Sequence, residues 1–152
     1  MGWAPPALAV CVAAPIAALM GLDPPAVLHR PFIQGGGLVL ATLGVATFAA
    51  QMALGASWRV GVDASERTAL VTSGVFGLVR NPIFTAMITT FAGLALMVPN
   101  VIALTGLAAL LIGVQLQVRL EEEPHLRRLH GEAYRRHTAT VGRFVPGIGR
   151  HG

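Results

Sequence analysis

From Asn81 to Val118 the chain carries no acidic or basic side chain. One straight helix over that stretch would be more than about 50 Å long at about 1.5 Å per residue, whereas the hydrocarbon core of a bilayer is about 30 Å thick. The stretch therefore has to fold back on itself. Pro99-Asn100, a turn signal near its middle, divides it into halves from Pro82 to Val98 and from Val101 to Val118. A helical hairpin is predicted.

Two further apolar stretches precede it. Trp3 to Leu22 is uncharged, is started or kinked by Pro5, Pro6 and Pro15, and is closed by Asp23-Pro24-Pro25. It has no arginine before Arg30 to make it a secretory signal, so it is expected to stay in the chain as a membrane helix. Phe32 to Leu54 is interrupted only by Gln34 and Gln51, and Gly35-Gly36-Gly37 allows close helix contact. Apolar residues make up 54% of the chain and charged ones 12%, with 6% aromatic, so the apolar content is small and aliphatic as in packed membrane helices. The fold class expected is all-α, a single integral membrane domain over 1–152. It holds four transmembrane helices, the last two being the hairpin, with the N-terminal helices over about 1–55 and a core over 57–147.

Every basic residue is arginine, and seven of the 11 follow Val118. Such one-ended basicity after long uncharged stretches suits anionic headgroups or an anionic ligand and not a nucleic-acid surface. Arg59, Arg67 and Arg80 lie in the segment after the second span and most of the others in the tail, so both termini are expected in the cytoplasm, in a multi-pass cytoplasmic-membrane protein. Cys11 is alone, which excludes an intramolecular disulfide. His125, His130 and His137 are spaced by five and seven, neither being the i, i+4 pair of a helix-borne metal site, so no metal is expected.

Beyond Val118 the pattern remains helical but amphipathic, with Leu126, Leu129 and Ala133 on one face and Arg127, Arg128, Arg135 and Arg136 on others. An interfacial helix is expected. Pro124 suits its first turn, Glu121, Glu122 and Glu123 lie near its positive end, and Gly131 interrupts it.

Polar residues gather at one edge of the predicted hairpin: Arg80-Asn81-Pro82 where it starts, Glu121 to Glu123 where it ends, and Tyr134 to Arg143 beyond. A hairpin brings the first two together. Five motifs appear in order: Leu70-Val71-Thr72-Ser73-Gly74-Val75-Phe76, Arg80-Asn81-Pro82-Ile83-Phe84, Glu122-Glu123-Pro124-His125-Leu126, Gly131-Glu132-Ala133-Tyr134 and Arg143-Phe144-Val145-Pro146. Together they resemble the motifs of the isoprenylcysteine carboxyl methyltransferases and the related phospholipid methyltransferases. The resemblance covers about Ser57 to Gly147.

It implies methyl transfer from S-adenosylmethionine to a lipophilic, membrane-borne acceptor. Carried over by motif, Arg80, Asn81, Glu122, Glu123, Tyr134 and Arg143 frame the cofactor site, and Arg80 and Glu123 are the candidate catalytic residues. An arginine can pair with the methionyl carboxylate, and a carboxylate can accept from the ammonium or the ribose hydroxyls. Phe76, Phe84 and His137 stand where related sequences commonly have tyrosines. Two alternatives use the same helices: a membrane reductase with NADPH, as in sterol reductases, and a non-enzymatic membrane subunit.

Overall fold

The structure is a computed structural model that describes residue 13, residues 16–21, 30–58 and 70, and residues 72–150. The expected first span, Trp3 to Leu22, falls mostly outside the described residues, as do Cys11, Asp23 and the charged segment holding Arg59, Asp63, Glu66 and Arg67. Among the described residues the fold is helical without strands, with helices α1 (Pro31–Trp58), α2 (Pro82–Met97), α3 (Val101–Gln117) and α4 (Glu123–Thr140). Pro31–Ala50 and the helical stretch that opens at Val101 are long and apolar enough to cross a membrane, and α2 is a shorter apolar helix. The helices α2 and α3 fill the two halves of the predicted hairpin almost residue for residue. Three residues, 98–100, join them.

Two compact units make up the chain. In the first, Met1–Ala46 with Ala86–Leu116, the buried side chains are mostly small: Ala17, Ala41, Ala86, Ala95 and Ala103, with Leu110 and Val114. Glycine sets the contact between α1 and α2. A Cβ on Gly37 would lie 2.7 Å from the Gly93 carbonyl oxygen, and one on Gly44 would lie 2.6 Å from the Thr90 amide nitrogen. Both are closer than a real Cβ approaches another atom, so the backbones meet directly, as small-residue membrane interfaces do. The turn after α2 is held by Asn100, whose side-chain oxygen accepts from the Ala103 amide at 2.9 Å and satisfies an orphan donor of α3. Ala95 and Ala103 pack beside it with Ile102 and Leu107. The large side chains point outward: Leu19, Phe32, Leu43, Val101, Ile112 and Leu116 are each more than half exposed. Small residues inside and large apolar ones outside is the arrangement that lipid, and not water, favours.

The second unit is Thr47–Thr85 with Gln117–Gly152. The chain does not break between α3 and α4 but passes through a π turn, Val118–Glu122, where the Glu123 amide donates to the Val118 carbonyl five residues back. Pro124, in the first turn of α4, has no N–H to give, and its ring would crowd the carbonyl four residues earlier in a regular helix; the wider turn removes that conflict. The predicted interruption is present at Gly131, whose φ of 48° and ψ of −119° kink α4. After α4 the tail closes into a turn in which the Ile148 amide donates to the Val145 carbonyl at 3.1 Å. Pro146 followed by Gly147 at φ 80° is the residue pair that a type II turn selects.

Candidate active site

The polar centre of the second unit starts with backbone pairing. The strand-like residues before α2 run alongside the tail: Arg80 N–H donates to the Gly142 carbonyl at 2.9 Å and Asn81 N–H to the Arg143 carbonyl at 3.1 Å. Gly142 is required there, because a Cβ on it would lie 2.8 Å from both the Gly147 nitrogen and the Ile148 oxygen. Thr85, one turn into α2, places its hydroxyl 3.0 Å from the Asn81 carbonyl and 2.8 Å from the Phe144 carbonyl. Phe84 and Phe144 meet edge to face with centroids 6.4 Å apart. That contact needs an aromatic ring and no hydroxyl.

This pairing aims two guanidinium groups at one carboxylate. Glu123 Oε1 accepts from Arg80 Nη1 at 3.1 Å and from Arg143 Nε at 2.7 Å, while Oε2 accepts from Arg143 Nη2 at 3.1 Å. All three residues are at most 7% exposed, so they are held in a medium where charges cannot rely on water. Arg80 Nη2 also donates to the Gly149 carbonyl. Arg80 Nε remains buried with no hydrogen-bond partner in the structure. Among the described residues, the two guanidinium groups share the one carboxylate.

Tyr134 and His137, on one face of α4, are buried beside it. Burial raises the Tyr134 phenol, nearby Glu123 adds to the rise, and Arg80 partly offsets it. The phenol is therefore a neutral donor. Burial and the Arg80 charge lower His137, which keeps the imidazole uncharged. Glu122 faces elsewhere: it is half-buried, and its carboxyl is raised chiefly by burial, opposed by a hydrogen bond from Gln117.

Of the residues singled out in the sequence, Arg80, Glu123, Arg143 and Tyr134 thus stand together. Asn81 joins through its backbone, and Glu122 is turned toward Gln117. Sequence reasoning did not single out the Gly149 carbonyl, Thr85 or the burial of His137. Among the described residues no group of three or more His, Cys, Asp or Glu is placed to hold a metal.

Among the described residues the chain is helical, with two helices long and apolar enough to cross a membrane, and its second unit holds a buried ionic centre. The phospholipid methyltransferase family matches residues 32–133, more than half of the chain, and the chain belongs to that family of membrane methyltransferases. The match takes in α1 to α3, Arg80, Asn81, Glu122 and Glu123; Tyr134 and Arg143 lie just beyond it. It begins at residue 32, whereas the motif resemblance begins near Ser57. No curated protein and no solved structure matches the chain.

Proposed function

We propose that this membrane methyltransferase uses S-adenosylmethionine and methylates a lipophilic acceptor that reaches the site from the bilayer. The observation that carries the reading is the buried cluster of Arg80, Glu123 and Arg143 in a chain of this family. Its chemistry fits the donor: the unpartnered Arg80 Nε calls for an acceptor, and the methionyl carboxylate is one. In this reading Arg80 binds that carboxylate. Arg143 and Glu123 fix the guanidinium of Arg80, and Tyr134 offers a neutral hydroxyl donor.

The sulfonium supplies a methyl carbon open to in-line displacement: the bond from acceptor to methyl forms as the bond from sulfur to methyl breaks, and the electron pair stays on sulfur. The protein's work is then to position the acceptor and exclude water from it. The same reading has four spans with both termini in the cytoplasm, where the polar donor arrives. Reporter fusions at Asp23, at Asp63 and at the C-terminus test the orientation, and a periplasmic C-terminus would refute it.

Titration calorimetry on the full chain in detergent is the direct test of the donor. S-adenosylmethionine and its demethylated product are expected to bind in preference to NADPH, and binding of NADPH alone would overturn the reading. Arg80→Ala should weaken donor binding about tenfold to a hundredfold, the worth of about 1.5–3 kcal/mol for a charge-assisted hydrogen bond. With radiolabelled methyl donor and membrane extract, label should partition into the organic phase. Label only in water-soluble products would exclude a lipophilic acceptor.

A further inference from the structure

We infer that α4 is a selective docking surface for anionic phospholipid headgroups, formed by two arginine pairs on either side of the Gly131 kink. Arg127 and Arg128 precede the kink, Arg135 and Arg136 follow it, and all four are exposed. Arg119, just before α4, and Arg150 in the tail are exposed as well. Against these six cations the exposed acids among the described residues of the same unit are Glu121 and Glu132. Glu132 is paired with Arg135 at 3.2 Å, with both side chains about two-thirds exposed or more (70% and 66%). The acid that could have balanced the rest, Glu123, is buried between Arg80 and Arg143. Among the described residues the surface therefore keeps a positive excess.

The apolar part of the surface points to lipid as the source of the missing anions. Leu120 is 70% exposed and Leu129 61% exposed, each set among arginines, and a helix that offers leucine and arginine side by side meets both halves of a membrane interface. The leucine enters the acyl boundary and the guanidinium groups reach the phosphates. A nucleic acid or a soluble acidic partner would leave the leucines uncovered. Gly131 determines how the two pairs are aimed. No atom lies within 4 Å of where its Cβ would be, yet its φ is +48°, so the kink depends on glycine's backbone freedom and not on space.

The inference rests on the chain being embedded in a membrane and not on its methyl transfer, so failure of one leaves the other standing. The test is native mass spectrometry of the full chain released from detergent after equilibration with equal amounts of phosphatidylglycerol and phosphatidylcholine of identical acyl chains. Since each arginine near an anionic surface is worth about fivefold in partition, phosphatidylglycerol should be retained at least tenfold over phosphatidylcholine. The combined variant Arg127→Gln, Arg128→Gln, Arg135→Gln and Arg136→Gln should bring the ratio close to one while its circular dichroism stays helical. Gly131→Ala keeps every charge and should lower the ratio to an intermediate value. Equal retention by the unaltered chain, an unchanged ratio in the combined variant, or displacement of phosphatidylglycerol by a short oligodeoxynucleotide would each overturn the inference. Should the combined variant not fold, the unaltered chain in high salt provides the same comparison, with loss of selectivity expected and persistence contradicting it.

Discussion

The two compact units bury opposite materials. The first hides alanine and glycine and turns its large aliphatic side chains outward, so its cohesion comes from backbones brought close enough for dispersion contacts to accumulate. The second buries two arginines, a glutamate, a histidine and a threonine beside Tyr134, Val79, Val118 and Val141, and its cohesion depends on each charge having its partners. A small-residue interface tolerates nothing larger than what it holds. An ionic centre tolerates the loss of no member. The first arrangement suits a scaffold whose surroundings are apolar, and the second suits a place where a charged ligand has to be received. The sharpest ways to test that contrast are substitutions that should be harmful in one unit for a reason that does not operate in the other.

The largest effect is expected at Glu123. Glu123→Ala leaves Arg80 and Arg143 buried side by side without their shared anion, and removing one partner of such a group costs about 3–5 kcal/mol. Thermal unfolding in detergent should fall well below that of the unaltered chain, and insertion into membranes should persist because the first unit is untouched. Glu123→Gln keeps the shape and two acceptor or donor atoms, so it should lie between the two. A Glu123→Ala chain as stable as the original would mean that the cluster is solvated and that the contrast between the units is false.

Next in size is a glycine pair in the first unit. At Gly93 an added Cβ would fall 2.8 Å from the Ala41 Cα and still closer to the Ala41 amide. Gly93→Ala therefore has to push α1 and α2 apart, at about 1–3 kcal/mol for an overpacked site. Gly113, on α3, would meet nothing within 4 Å. Gly113→Ala should be neutral or slightly stabilising, since alanine is the better helix former by about 1 kcal/mol. Equal behaviour of the two variants in a detergent-stability assay would show that the close approach does not hold the helices.

How much of this was legible in the sequence differs between the units. The ends of the hairpin helices followed from two simple signals, the lack of charge from Asn81 to Val118 and the turn at Pro99-Asn100. The partners in the ionic centre could be named because motifs keep their order. Helix phase does not separate the three consecutive glutamates, because the π turn at Val118–Glu122 resets it; the motif alone singles out Glu123. Gly149 supplies a backbone carbonyl, a group every residue has, so no side chain marks it. The burial of His137 did leave a sign: Tyr134, His137, Thr138 and Val141 follow the i, i+3, i+4, i+7 pattern, and all four are buried. Metal spacing and the tyrosine position of related sequences bear on that histidine without revealing its burial, whereas helix-face spacing does.

The smallest effect expected is also the one that reads the ionic centre without removing any of its charges. Burial and the charge of Arg80 hold His137 below its ordinary value of 6.5, so the folded chain takes up its proton at lower pH than the unfolded chain does. The stabilisation linked to this residue is therefore fully present above about pH 6.5 and is lost as pH falls from there through the folded value. Tyr134, raised by its surroundings, stays neutral. Glu122 works in the opposite sense: its raised carboxyl contributes stability below its ordinary value of 4.5 that is lost as pH rises through the folded value. A series of unfolding midpoints in detergent from neutral to mildly acidic pH should thus fall for the unaltered chain and fall more steeply in Glu122→Gln, where the opposing contribution is gone. In His137→Asn, whose side chain does not titrate, the fall should flatten. If His137→Asn follows the same curve as the unaltered chain, the imidazole is as well solvated when folded as when unfolded, and the second unit is not closed around Arg80.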